Sequence, residues 1–207
     1  MRFFRFPIIA RWILRKAVYN TGRPGKTVCL SFDDGPHPET TPVILEILER
    51  YNIKALFFLN GRNAEKYPEL VSKIRSYGHI TGNHGYSHLN GLKTGFKKYI
   101  DDINLAAENT SSTIIRPPYG KITPRQYRYL IKQYTIVLWD LMVYDFDPNF
   151  DKEKMLNVIL TKCRNGSVIV LHDKPVASSS EILERAVSGL INKDYSFELP
   201  IFLLAKK

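Results

Sequence analysis

From residue 27 onward, short apolar and β-branched runs alternate with longer segments whose apolar positions recur at helical spacing. "TVCLSF" (27–32) predicts a strand, and "TPVILEILERY" (41–51) a helix with a proline near its start, where a missing N–H costs no hydrogen bond. The alternation continues with strand "KALFFLN" (54–60), helix "YPELVSKIRSY" (67–77), the short extended piece "HITG" (79–82), a helix around 94–110 and strand "TIIR" (113–116). A helix near 123–133, strand "YTIVLWDL" (134–141), a helix near 152–164, strand "SVIVLH" (167–172), helix "SEILERAVSGL" (180–190) and strand "ELPIFLL" (198–204) complete it. Such repeated strand–helix units, without linker, repeat or low-complexity tract, imply parallel strands around one core, and seven of them suggest a closed or nearly closed barrel. A doubly wound open sheet fits the same string, but the Gly-rich phosphate fingerprint is missing after the first strand.

A chain of 207 residues with 44% hydrophobic and 24% charged positions has the make-up of one soluble globular domain with a sizeable core. The two cysteines, Cys29 and Cys163, make neither a disulfide framework nor a zinc cluster, and Cys29 sits in an apolar run that reads as core. The net charge of +10 is unevenly spread. Residues 1–26 carry Arg2, Arg5, Arg11, Arg15, Lys16, Arg23 and Lys26 and no acid, against 23 basic and 20 acidic residues in the rest. The basic character therefore belongs to an N-terminal arm, residues 1–26, and argues against a nucleic-acid-reading face on the domain at 27–207.

That arm interleaves its cations with Phe3, Phe4, Phe6, Ile8, Ile9, Trp12, Ile13 and Leu14. No run approaches the roughly 20 apolar residues of a membrane span. Arg11 interrupts the stretch that a signal peptide would need, so a cytoplasmic or peripheral inner-membrane location is expected. Two readings stay open: a basic amphipathic anchor on anionic lipid, or an arm packed against the domain.

Polar residues gather where strands end. Asp33 and Asp34 end the first strand, His84 and His88 follow the third, and Arg116 and Tyr119 follow the fourth. Asp145 follows the fifth, while His172 and Asp173 end the sixth. In a parallel barrel these ends meet at one face, where active sites are built. The adjacent carboxylates of "LSFDDGPHP" repel each other unless a cation or a shared proton uses them. Two histidines four apart in "HGYSH" (84–88) are common by chance, but with an acid such as Asp34 they make a two-nitrogen, one-oxygen set with room for water. A metal there lowers the pKa of bound water from about 16 to about 7 and polarises a carbonyl. Arg116 in "RPPYG" reads either as a residue before a rigid turn or as the holder of a carboxylate. His172 in "VLHD" reads as a packed core histidine or, beside a metal, as a general acid.

These segments resemble the carbohydrate esterase family 4 polysaccharide deacetylases, the NodB-homology domain. Five family motifs occur in order: "SFDDGP" (31–36), "HGYSH" (84–88), "RPPYG" (116–120), "WDLMVYDF" (139–146) and "VLHD" (170–173). The resemblance implies an α/β fold, a distorted TIM-barrel-like (β/α)7–8 barrel, that hydrolyses acetyl groups, usually the N-acetyl of N-acetylglucosamine residues in a glycan. It implies that Asp34, His84 and His88 ligate a divalent ion, zinc or alternatively cobalt or nickel. Asp33 would be the general base on the attacking water, and Arg116 would orient it. The backbone N–H of Tyr119 would stabilise the oxyanion, and His172 would protonate the departing amine, tuned by Asp145. Leu171 would line the acetyl pocket, with Trp139 and Phe146 as substrate-binding aromatics.

Three positions depart from the family pattern. Gly85 stands where a Ser or Thr is usual, Phe146 where Trp is usual, and Met142 where an acid is often found. An O-acetyl esterase on acetylated polysaccharide, and a catalytically silent glycan-binding domain, are the competing readings. A binding module needs neither the base Asp33 nor the acid His172.

Overall fold

The computed structural model describes residues 4–201, which form one curled, parallel sheet wrapped by helices. In chain order its strands are β1 (Thr27–Asp33), β2 (Leu56–Leu59), β3 (Ile80–Asn83), β4 (Ile114–Ile115), β5 (Thr135–Ile136), β6 (Leu141–Met142), β7 (Ser167–His172) and β8 (Ser196–Phe197). The hydrogen-bonded order is β5-β4-β3-β2-β1-β7-β6, and β8 adds to β1. The helices are α1 (Ile8–Ile13), α2 (Thr41–Arg50), α3 (Gly61–Lys66), α4 (Pro68–Ser76), α5 (Phe96–Thr110), α6 (Pro124–Leu130), α7 (Lys152–Lys162) and α8 (Ser179–Ile191). This is the distorted (β/α) barrel that the family resemblance implies, and its sheet stays open between β5 and β6 where the alternation suggested a closed or nearly closed barrel. None of the described helices is long and apolar enough to cross a membrane.

The central strands β1 and β7 are buried along their whole length. Their side chains alternate between two cores, as a period of two requires. Val28, Leu30, Phe32, Ile169 and Leu171 pack outward against α2, α7 and α8, whereas Cys29, Val168 and Val170 point into the barrel. The β1–β7 register aligns Asp33 with His172, so acid and histidine leave the sheet side by side.

Two expectations need correction. The single strand expected at 134–141 is divided into β5 and β6. Residues 137–140 cross from one sheet edge to the other, and the Val137 and Leu138 carbonyls accept hydrogen bonds from the Arg116 guanidinium. The strand expected at 198–204 is not formed over its described residues 198–201; the last strand, β8, lies just before it at Ser196–Phe197, and residues 202–204 lie outside the described ones.

The basic arm fills the seam left by the open sheet. Val18 bridges to Val137 in parallel and Asn20 to Ser167 in antiparallel fashion, so the arm ties the β5 side to β7. Phe6, Leu14 and Ala17 of the arm are buried against the domain. Arg5 and Arg11 converge with Arg164 on the buried Asp140, whose carboxyl these cations hold down to about 2 against the opposing effect of burial. Residues 1–3 of the arm, including Arg2 and Phe3, lie outside the described ones.

Candidate active site

At the C-terminal ends of the strands a cleft of about 510 Å³ opens, lined by Asp33, Asp34, His84, His88, Tyr119, Trp139, Phe146 and His172 among others. Eight of the eleven residues singled out in the sequence thus meet at one place. Arg116 and Asp145 lie fully buried directly behind it. Leu171 is the exception: it is not among the lining residues. One step from His172 along β7, it points to the opposite side of the sheet and packs in the outer core.

Asp33 ends β1 in extended backbone, while Asp34 turns into the left-handed region (φ 75°). Two neighbouring carboxylates therefore diverge into different surroundings. Asp33 Oδ1 accepts a 2.6 Å hydrogen bond from Arg116 Nη1. That guanidinium also donates to Ser31 Oγ and to the carbonyls of Val137 and Leu138, and its face lies 4.1 Å from the Phe58 ring centre. Burial pulls the Arg116 pKa down, and Asp33 opposes that pull. With its donors committed, Arg116 holds Asp33 in one orientation.

Asp34, His84 and His88 place one ligand atom each within 4.8 Å of one another. His84 Nδ1 is 2.7 Å from the Arg116 carbonyl, which fixes the tautomer with Nδ1–H donating and Nε2 free. Burial pushes the His84 pKa down to about 4, leaving a neutral ring and an available lone pair. His88 Nε2 lies 3.2 Å from Asp34 Oδ1 and His84 Nε2 3.7 Å from it. Asp34 Oδ1 is itself buried and accepts no hydrogen bond. A buried carboxylate oxygen without a donor, facing two imidazoles, has the chemistry of a divalent-metal site. Burial works against the Asp34 charge, but His88, His84, His172 and Lys174 outweigh it and hold the carboxyl well below the ordinary range.

Across the cleft, both Asp145 oxygens grip His172. Oδ1 accepts from Nδ1 at 2.8 Å and Oδ2 from the His172 backbone N–H at 2.7 Å. Burial alone would lower the His172 pKa, but Asp145, with Asp33 and Asp34 further off, raises it. Phe146 packs edge-on to the His172 ring at 4.7 Å.

Gly85 of the second motif sits in a backbone conformation that favours glycine. Gly85 is left-handed (φ 73°), and a Cβ there would stand 3.0 Å from Asp102 Oδ2. The Asp102 carboxylate of α5 accepts hydrogen bonds from the Tyr86 and Ser87 backbone N–H groups, and Asn83 Oδ1 accepts from that of Gly85. Asp102 braces the metal loop from outside. Asp102→Asn is expected to weaken metal binding roughly 10–100-fold, the usual cost of losing a support behind a ligand. Gly85→Ser should destabilise the fold instead of firming the loop. Zinc titration and thermal melting measure the two effects.

The sequence reading missed Lys174, whose Nζ bonds Asp34 Oδ2 at 2.6 Å, and Asp102. Lys174 follows "VLHD" directly, so its place was available. Asp102 lies within a charged helical stretch and carries no local signal. Asp173, named only as a strand end, accepts from the Thr40 and Thr41 hydroxyls and packs against Gly35, where a Cβ would meet its carboxylate at 2.2 Å. It sets the turn that follows Asp34.

The polysaccharide deacetylase family model matches residues 20–139. A peptidoglycan-N-acetylglucosamine deacetylase from Bacillus cereus is 36% identical over 197 residues, covering 90% of this chain and 71% of that protein. A chitooligosaccharide deacetylase from Azorhizobium caulinodans is 31% identical over 156 residues, 71% of this chain and 73% of its own length. The crystal structure of the Bc1960 peptidoglycan N-acetylglucosamine deacetylase, in complex with 4-naphthalen-1-yl-N-oxidanyl-benzamide, superposes with a TM-score of 0.85 at 32% identity, covering 94% of each chain. With the family model spanning more than half of it and relatives aligned along most of its length, the chain belongs to the polysaccharide deacetylase family.

Proposed function

We propose that the protein is a zinc-dependent N-deacetylase acting on glycans that contain N-acetylglucosamine. The observation that carries this reading is the placement of two differently tuned pairs, Asp33–Arg116 and His172–Asp145, on either side of the Asp34, His84 and His88 cluster. Two imidazole nitrogens and one carboxylate oxygen with an open position suit zinc, and cobalt or nickel can occupy the same set. When bound, the divalent ion supplies a Lewis acid that acidifies water and polarises the acetamide carbonyl.

The protein's own groups divide the remaining work. Asp33, held by Arg116, accepts a proton from the attacking water at its free oxygen. The Tyr119 backbone, set at the cleft by a left-handed turn (φ 60°), donates its N–H to the developing oxyanion. His172, whose pKa Asp145 raises, gives its proton to the sugar nitrogen as the C–N bond breaks. Acetate and a free amine leave. Trp139 and Phe146 wall the cleft and pack against the sugar.

Acetate release from chitooligosaccharides and peptidoglycan fragments tests the reading. Activity is expected with zinc, lost on chelation, and restored by zinc, cobalt or nickel, which ranks the metals. Release only from O-acetylated sugars would move the assignment to an esterase. No acetate from any such glycan by the zinc-loaded protein would leave a silent binding domain.

A further inference from the structure

The arm has a second face that its packing does not use. Helix α1 and the residue after it place Ala10 and Leu14 inward, whereas Ile8, Ile9, Trp12 and Ile13 occupy the outer side. These four are 82%, 74%, 81% and 51% exposed. At 100° per residue they span an arc of roughly 140°, a continuous apolar stripe presented on a helix whose other side is locked down. A contiguous exposed cluster of three isoleucines and a tryptophan marks a contact surface, unlike a lone exposed Leu.

Charge identifies what it contacts. Residues 1–26 hold seven basic residues and no acid. The segment 109–139, which carries the cleft residues Tyr119 and Lys121 and all of α6, holds Arg116, Lys121, Arg125, Arg128 and Lys132, again without an acid. Together they carry 12 of the 30 basic residues, which leaves 18 against all 20 acids elsewhere. Of the twelve, Arg5, Arg11 and Arg116 are paired with Asp140 and Asp33, so the charge beside the stripe is that of Arg15, Lys16, Lys121, Arg125 and Arg128. The segments touch directly, since the Lys16 backbone N–H donates to Tyr127 Oη on α6. Arg15 and Lys16, next to the stripe, are exposed, as are Lys121, Arg125 and Arg128.

A second cleft of about 410 Å³ runs from Pro7, Ala10 and Ile13 past Leu92 and Pro124 to Tyr119 and Trp139. The last two residues also line the catalytic cleft, so the two clefts are neighbours that share a wall.

We propose that the Ile8–Ile13 face docks the protein on an anionic lipid surface, with the isoleucines and Trp12 in the acyl–headgroup boundary, Arg15, Lys16 and the α6 cations on the headgroups, and the catalytic cleft opening beside the lipid. An apolar stripe bordered by cations is the pattern of interfacial membrane binding, where buried apolar area and attraction to anionic lipid add. A sugar or a base could stack on Trp12, but neither gives the three exposed isoleucines an apolar partner.

Flotation of the full-length, zinc-loaded chain with vesicles tests it. Binding is expected to phosphatidylcholine vesicles containing phosphatidylglycerol, at least tenfold weaker to phosphatidylcholine alone, and reduced by salt. Trp12 fluorescence should shift to the blue on binding, whereas the buried Trp139 stays unchanged. Ile8→Ser/Ile9→Ser/Trp12→Ser should abolish flotation, and Arg15→Glu/Lys16→Glu should lower it at least tenfold, both with unaltered acetate release from soluble glycan. Flotation that ignores these substitutions would overturn the proposal. So would a protein that stays off the vesicles but sediments as a dimer that the triple variant dissociates, which would assign the face to a second copy.

Discussion

Asp33→Asn is expected to lower turnover roughly 10²–10⁴-fold while the protein keeps its metal, the cost of losing a general base. The substitution is nearly isosteric, and the amide oxygen can still accept from Arg116 Nη1, so the buried guanidinium keeps its partner. What disappears is a basic oxygen at the edge of the cluster. Asp33 Oδ2 stands 3.9 Å from His84 Nε2, farther than either histidine stands from Asp34 Oδ1. Asp34→Asn should do the opposite and empty the site, because it removes the only anionic donor of the cluster. Metal content after dialysis, measured beside acetate release, separates the two. Equal metal loss in both variants would refute the division of labour between the paired acids.

That division explains how much of the site was legible in the sequence. The order of the motifs, and the rule that parallel strands put their ends at one face, brought Asp33, Asp34, His84, His88, Arg116, Asp145 and His172 together correctly. Periodicity found β1, α2, α5, β7 and α8 within a residue or two, because their buried stripes are long. It failed at residues 134–141, where an apolar run of strand length serves two sheet edges and a buried arginine holds the crossing. Leu171 was misplaced for a simpler reason: one residue along a strand reverses the face. Asp102 was invisible because its role lies in backbone donors from a loop 15 and 16 residues earlier, a pairing that only folding creates. The outward stripe of the arm was half legible. Its composition raised both an anchor and a packed arm, and the structure shows packing on one side of the helix with an open apolar face on the other.

The second large effect is expected at His172. His172→Gln should cost roughly 10²–10⁴-fold on an N-acetyl sugar, because an amine leaves only when protonated. The same variant should lose far less on an activated aryl acetate, whose leaving group needs no proton, and that contrast distinguishes a general acid from a merely structural histidine. Asp145→Asn should act more mildly and through pH. His172 is useful while protonated, so activity falls as pH rises through its raised pKa. Replacing the carboxylate lowers that pKa and moves the alkaline limb to lower pH, with the deficit shrinking as the medium is acidified. The same contact predicts a stability effect in the metal-free protein. A histidine whose pKa is higher folded than unfolded adds stability that is complete below the unfolded value of about 6.5 and disappears as pH rises through the folded one. Melting curves of the metal-free protein should therefore show a decline across that window that Asp145→Asn flattens. An alkaline limb unmoved by Asp145→Asn would assign that limb to another group, and an unchanged decline in stability would show that the His172–Asp145 pair does not set it.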